Sequence, residues 1–250
     1  MARGAEIYRK IEDAYSTCNW AELSRLAKKY RRRSDLSDEW ECILDGMAGL
    51  WRAVERVSLA TGPAASVRDG LSESRPIDIV RVESAALREV VGVIRAPVKE
   101  TTVGLLPAVS AIALTVSGEY SQAVSQFNTT AISSTITSPV SHIPLATTNE
   151  QRRQNNSKEM PLVEVLVALH CTLFKALALE GVESFAGAVD QYNAIQDFYN
   201  RVSSTGTDCC MAIRVVYQEA LYRKAMLWVT KLQRTPLAAL SVKQALLAER

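Results

Sequence analysis

The chain has 250 residues, 48% of them hydrophobic, with a net charge of +2, eleven Gly and eight Pro. That much apolar material excludes disorder of the whole chain, and so few turn residues favour long helices over many short strands. The small net charge excludes a global field drawing the protein onto nucleic acid or membrane. The charge is local: residues 1 to 33 hold nine Lys/Arg against four Asp/Glu, and the remainder is slightly acidic.

The five cysteines, Cys18, Cys42, Cys171, Cys209 and Cys210, form no CxxC pair and keep no regular spacing. Neither a disulfide framework nor a zinc site is suggested, and a reducing, intracellular compartment is the simpler expectation. Met1 to Tyr15 is amphipathic and charged, without the apolar run of a secretory signal. Leu105 to Val116 reads as the most apolar window, shorter than the roughly 18 to 20 residues that span a bilayer, so a soluble protein is expected.

Periodicity places a first helix over Ala5 to Tyr15, with Ile7, Ile11, Ala14 and Tyr15 on one face. Asn19 is placed to cap a second helix with the stripe Trp20, Leu23, Leu26, Ala27 and Tyr30, making an antiparallel hairpin across Thr17-Cys18-Asn19. A third helix is expected after Ser37, carrying Trp40, Ile43, Leu44, Met47, Leu50, Trp51 and Val54. Thr61 to Pro76 reads as a loop. Ile79, Val82, Ala86, Leu87, Val90 and Ile94 mark a helix that stops before Pro97. Thr102 to Val116 is apolar enough to be buried on most faces, with Pro107 in its first turn or kinking it. Ser133 to Pro161 is polar and aperiodic and reads as a flexible insertion. Helical patterns follow at Leu162 to Leu179, Val182 to Val202, Asp208 to Leu232 and from Pro236 onward. The last pattern still runs at Leu246 and Leu247, which leads us to expect a fragment of a longer protein. The expected organisation is a helical hairpin and third helix over 1–60, tetratricopeptide-like helices over 77–132, the insertion over 133–161, and further helical repeats over 162–250, all in one continuous solenoid.

Three segments share one spacing: Trp20, Leu23, Ala27, Tyr30; Tyr120, Ala123, Phe127, Thr130; and Phe185, Ala188, Tyr192, Ile195. Steps of three and four keep each set on one helical face, and the small residue lets a neighbour approach closely. The middle copy, with Gly118 two residues before Tyr120, resembles the turn and second helix of a tetratricopeptide repeat, although Pro107, Ser110 and Ala111 occupy the positions before it. The fold class expected is therefore all-α, with antiparallel helix pairs stacked as a tetratricopeptide-like α-solenoid; a bland antiparallel helical array is the alternative.

Groups for catalysis are few, and no enzyme, cofactor or metal site is expected. His142 falls in the insertion, and His170 in an apolar run suits a satisfied core or groove histidine better than an acid/base. No HExxH, GxSxG, GxxxxGK[ST] or GxGxxG occurs. Cys209 and Cys210 read as two buried thiols on successive helical positions. The basic run Lys28, Lys29, Arg31, Arg32, Arg33 has two readings: contact with anionic lipid or an acidic partner, or solvated cations favoured by a helix C-terminus. A nucleic-acid role is weaker, since no interleaved stacking aromatics accompany the run.

Cys18-Asn19-Trp20 with Leu23, the Ile79 to Val91 helix with Ala85-Ala86-Leu87, the Gly118-Glu119-Tyr120 unit and the long insertion before Leu162 together resemble the N-terminal part of the Ypp / tetratricopeptide-7 family. That family is the scaffold subunit of the plasma-membrane phosphatidylinositol 4-kinase complex. The resemblance implies an all-helical, non-catalytic solenoid linking the lipid kinase to a palmitoylated, helical-repeat membrane anchor. It would sit in the cytoplasm, peripheral to the inner face of the plasma membrane; in fungi the family is associated with endocytic cargo traffic. No nucleic acid and no small-molecule substrate is implied, and the polar insertion departs from the family without marking a partner site. The competing function is a generic tetratricopeptide-type adaptor that takes a short peptide tail in its groove.

Overall fold

In a computed structural model of the chain, described for residues 2–31, 39–51, 105–130, 136, 161–205, 209–233 and 235–247, the regular structure among the described residues is entirely α-helical. In chain order the helices are α1 (Ala2–Ser16), α2 (Trp20–Arg31), α3 (residues 39–51), α4 (Leu106–Val116), α5 (Tyr120–Asn128), α6 (Pro161–Gly181), α7 (Phe185–Ser204), α8 (Met211–Thr230) and α9 (Thr235–Leu247). The loop expected over 61–76 and the helix from Ile79 to Ile94 lie outside the described residues. So does the insertion, apart from Ile136 and Pro161.

Each helix buries the face its periodicity marks. Ile7, Ile11, Ala14 and Tyr15 of α1 meet Trp20, Leu23, Leu26, Ala27 and Tyr30 of α2 in one apolar core, and the Asn19 side chain accepts the Glu22 N–H at 3.2 Å, satisfying a donor that the start of a helix leaves free. In α3, Ile43, Leu44, Met47, Leu50 and Trp51 join the same core. Pro107 falls in the first turn of α4, where its missing N–H costs nothing.

Most expected boundaries move by one to three residues, and two of the shifts have a visible cause. The helix read from Val182 begins at Phe185, because Glu183 takes a φ of +60 and ends the preceding helix in a turn. The helix read from Asp208 begins at Met211, with Cys210 extended at φ −64, ψ 159. Cys209 and Cys210 are thus not on successive helical positions; Cys209 is buried and Cys210 half-buried ahead of the helix.

The longest apolar run is also not where composition placed it. Leu162–Gly181, within α6, is long and apolar enough to cross a membrane by those criteria alone, and most of it is buried inside the fold. It is the central helix: α1, α4, α5, α7 and α8 all pack on it. A helix surrounded on so many sides must be apolar nearly all round, which explains the composition without a bilayer. Contacts from α4 to α8 join successive helices or next-but-one neighbours (α4 with α6, α6 with α8), whereas α1 reaches α6 and α8 across a long stretch of sequence. The N-terminal hairpin is therefore folded onto the later helices.

Candidate functional site

The three segments that share a spacing also share a turn. In each, one residue adopts a left-handed backbone: Cys18 (φ 56), Gly118 (φ 80) and Glu183 (φ 60). Its N–H bonds a carbonyl three residues back (Tyr15, Thr115, Glu180), and the next N–H bonds one five back (Ala14, Leu114, Leu179). This pair closes a helix by satisfying carbonyls that its end leaves free. The residue after the left-handed one (Asn19, Glu119, Ser184) then accepts the first backbone bond of the following helix, from Leu23, Ala123 and Ala188. One residue ends one helix and starts the next, so the two helices must lie antiparallel.

That turn puts an aromatic residue first in the second helix: Trp20, Tyr120 and Phe185. Each meets a later helix, and for Tyr120 and Phe185 the contact is at that helix's C-terminal end. Trp20 stacks on Trp51 of α3 at 5.9 Å between centroids. The Tyr120 ring lies so close to Gly181, the last residue of α6, that a Cβ there would overlap it. Lys231, just past α8, places its ammonium 5.5 Å from the Phe185 centroid. Gly181 and Lys231 stand two residues before the left-handed Glu183 and Gln233, so the last two contacts are equivalent. Leu23, Ala27, Tyr30, Ala123, Phe127, Ala188 and Tyr192 complete the set as buried side chains.

The polar groups inside these contacts differ from one end to the other. At the N-terminal end, His170 of α6 is surrounded by Tyr15, Trp20 and Trp51, with centroids 5.6, 6.2 and 5.1 Å away. Its Nδ1–H donates to the Leu166 carbonyl at 2.7 Å, and the Tyr15 hydroxyl lies 3.3 Å from the same nitrogen. Its Nε2 and the Trp51 Nε1 are buried without a hydrogen-bond partner among the described residues. His170 is thus a core histidine, as expected, but satisfied on one side only. Burial lowers its pKa to about 4, although the bond to Leu166 favours the charged form, so the ring is neutral at neutral pH. Beside it, burial pushes the Cys171 thiol up, away from the reactive thiolate.

At the other end the buried groups are charged. Tyr192 of α7 donates a short hydrogen bond to the Glu180 carboxylate of α6. Arg223 of α8 donates from Nε to Glu219 at 2.9 Å and places Nη1 3.7 Å from Glu180. Burial works against the Arg223 charge, yet these two carboxylates raise its pKa further. Next to it, Lys224 Nζ donates to Gln196 of α7 at 2.7 Å, and Gln196 donates in turn to Gln244 of α9 at 3.2 Å. Spacing alone could have found Glu219 and Arg223, four apart on one helix. Glu180, Tyr192, Gln196 and Gln244 carry no such mark, because the fold brings them together from separate helices.

Within the basic run, Lys28 is exposed and 3.5 Å from Asp45 of α3, and the Lys29 ammonium lies 5.6 Å from the Tyr30 centroid. Arg31 ends α2, while Arg32 and Arg33 lie outside the described residues. No three His, Cys, Asp or Glu side chains gather as metal ligands among the described residues. No family model, curated protein or solved structure matches the chain.

Proposed function

We propose that this protein is a non-catalytic scaffold of tetratricopeptide-like helical hairpins whose surface holds protein partners. The observation that carries the reading is the repeated hairpin: one turn at Cys18, Gly118 and Glu183, followed by an aromatic that packs on a later helix. Ala123 with Phe127, and Ala188 with Tyr192, keep the Ala-x-x-x-aromatic spacing of the tetratricopeptide second helix. Stacking such units generates long surfaces suited to binding other proteins. The polar groups described inside the fold join helices to one another.

Within that reading, the family resemblance makes the chain a cytoplasmic subunit that assembles a phosphatidylinositol 4-kinase with a palmitoylated helical-repeat anchor at the plasma membrane. The test is co-precipitation of the purified chain with kinase and anchor. Retention of both supports the assignment, and retention of neither discards it. Capture of a short peptide tail alone would favour the generic adaptor. Contact of residues 28–33 with anionic membrane is a separable proposal; if liposome binding survives Arg31→Ala, Arg32→Ala and Arg33→Ala together, it fails.

A further inference from the structure

Two neutral rings at the contact of α3 with α6 carry polar atoms that nothing among the described residues satisfies. His170 is 1% exposed and Trp51 7%, and their centroids stand 5.1 Å apart with the ring planes at 70°. The His170 Nε2 and the Trp51 Nε1 are the atoms concerned. Either one left bare in the interior gives up the bond it makes to water in the unfolded chain and gains nothing in return.

The two are chemically complementary. His170 Nδ1 lies 2.7 Å from the Leu166 carbonyl, which only accepts, so Nδ1 carries the proton. The opposite tautomer would set two acceptors against each other. Burial keeps the ring neutral, so Nε2 is left as an acceptor. The indole Nε1–H of Trp51 only donates. One donor and one acceptor therefore belong to rings in contact, on helices far apart in the chain, and they do not bond each other directly.

A molecule that satisfies both must accept and donate without carrying charge. An ion fits poorly, because the side chains around the pair are the rings of Tyr15, Trp20 and Phe174, and no set of metal ligands gathers among the described residues. We infer that a single buried water bridges α3 and α6, accepting from Trp51 Nε1–H and donating to His170 Nε2. These are two of the roughly two to four hydrogen bonds that a buried water makes. The bridge adds direction to a contact otherwise made of rings. Stacking of Trp51 on Trp20, at 5.9 Å and 16°, tolerates rotation of the indole in its own plane; a bond at Nε1 does not. The imidazole is likewise held at both nitrogens. The inference goes beyond the scaffold reading and is independent of it, whichever partners the surface holds.

The test uses the whole chain, labelled with ¹⁵N. Of the four tryptophans, Trp51→Phe identifies the Trp51 indole by the signal it removes. In the unsubstituted chain the Trp51 indole proton should show cross-peaks to solvent of opposite sign in NOE and ROE spectra, the mark of a long-lived water. His170→Leu should abolish those cross-peaks, and Trp51→Phe should shift His170 Nε2 toward the position of a free pyridine-type nitrogen. A crystal structure should place one ordered water about 2.7 to 3.2 Å from both nitrogens. Absence of the cross-peaks from the unsubstituted chain overturns the proposal, as does their persistence in His170→Leu. So does a crystal structure in which a protein side chain bonds either nitrogen, or in which the Trp51 N–H rests on a ring face with no water between.

Discussion

Two ends of α6 meet their neighbours through different chemistry. Around His170 the contact with α1, α2 and α3 is made of rings and a neutral imidazole. Around Glu180 the contact with α7 and α8 is made of a carboxylate, a phenol and a guanidinium. The same hairpin geometry supports both, so the turn fixes how two helices of a pair cross, and the filling of the space between pairs is left to local chemistry. Rings fill volume and tolerate burial because they carry no charge; an ion pair in the same place must offset the desolvation of both partners, and does so only while every partner is present. The two ends should therefore respond differently to truncation, to charge removal and to pH.

Trp20→Ala is expected to cost most, about 4 kcal/mol, since it empties a fully packed site between Tyr15, Trp51 and His170. Urea unfolding would measure it, and the loss should not depend on salt. At the charged end, Arg223→Met is expected to cost about 3 kcal/mol by leaving Glu180 and Glu219 beside an apolar side chain. Adding Glu180→Gln and Glu219→Gln should restore much of that loss. If the triple variant is no more stable than Arg223→Met alone, the carboxylates are not what the arginine balances, and the two ends differ less than their chemistry suggests.

The pH dependence separates the ends again. His170 has an ordinary pKa of 6.5 when unfolded and about 4 when folded. Its neutral state contributes stability that is fully present above pH 6.5 and lost as pH falls toward 4, because the unfolded chain then binds a proton that the folded chain refuses. The loss across that window is about 3 kcal/mol, since each tenfold change in proton affinity is worth about 1.4 kcal/mol. His170→Leu should flatten the stability curve between pH 6.5 and 4; a curve unchanged by the substitution would mean that the ring is protonated in the fold. A smaller effect is expected at Gly181→Ala. The new methyl group overlaps the Tyr120 ring, and overpacking of this kind costs about 1 to 3 kcal/mol. Tyr120→Ala in the same background should recover part of it.

The helices, the apolar stripes and the recurring spacing at Trp20, Tyr120 and Phe185 are legible in the sequence because burial on one face leaves a period of three and four. The cap at Asn19 is legible for a similar reason, since its chemistry is local. What is not legible depends on partners far apart in the chain. Nothing around Glu180 announces Arg223, and nothing around His170 announces Trp51. The length of α6 is legible, Leu162 to Leu179 against Pro161–Gly181, but its place as the longest apolar run is not, because His170, Thr172 and Lys175 interrupt its hydropathy. The turn at Glu183 is hidden because a glutamate there is a poor indicator of a left-handed backbone, whereas Gly118 at the equivalent place reads at once.

That last pair of turns offers the smallest and most specific test. If the three hairpins share one geometry, the left-handed position should prefer glycine in each, by an amount set by backbone sterics alone. A side chain in that conformation costs roughly 1 to 2 kcal/mol, partly offset by the greater freedom glycine loses on folding. Glu183→Gly and Cys18→Gly should therefore each raise stability by about 0.5 to 1 kcal/mol. Gly118→Ala should lower it by about 1 kcal/mol, and since no atom lies within 4 Å of the added carbon, crowding contributes nothing to that loss. Urea unfolding of the three variants compares the repeats directly. If Gly118→Ala is neutral, or if Glu183→Gly destabilises, the backbone at the equivalent positions differs and the repeat is one of side-chain spacing without a common turn.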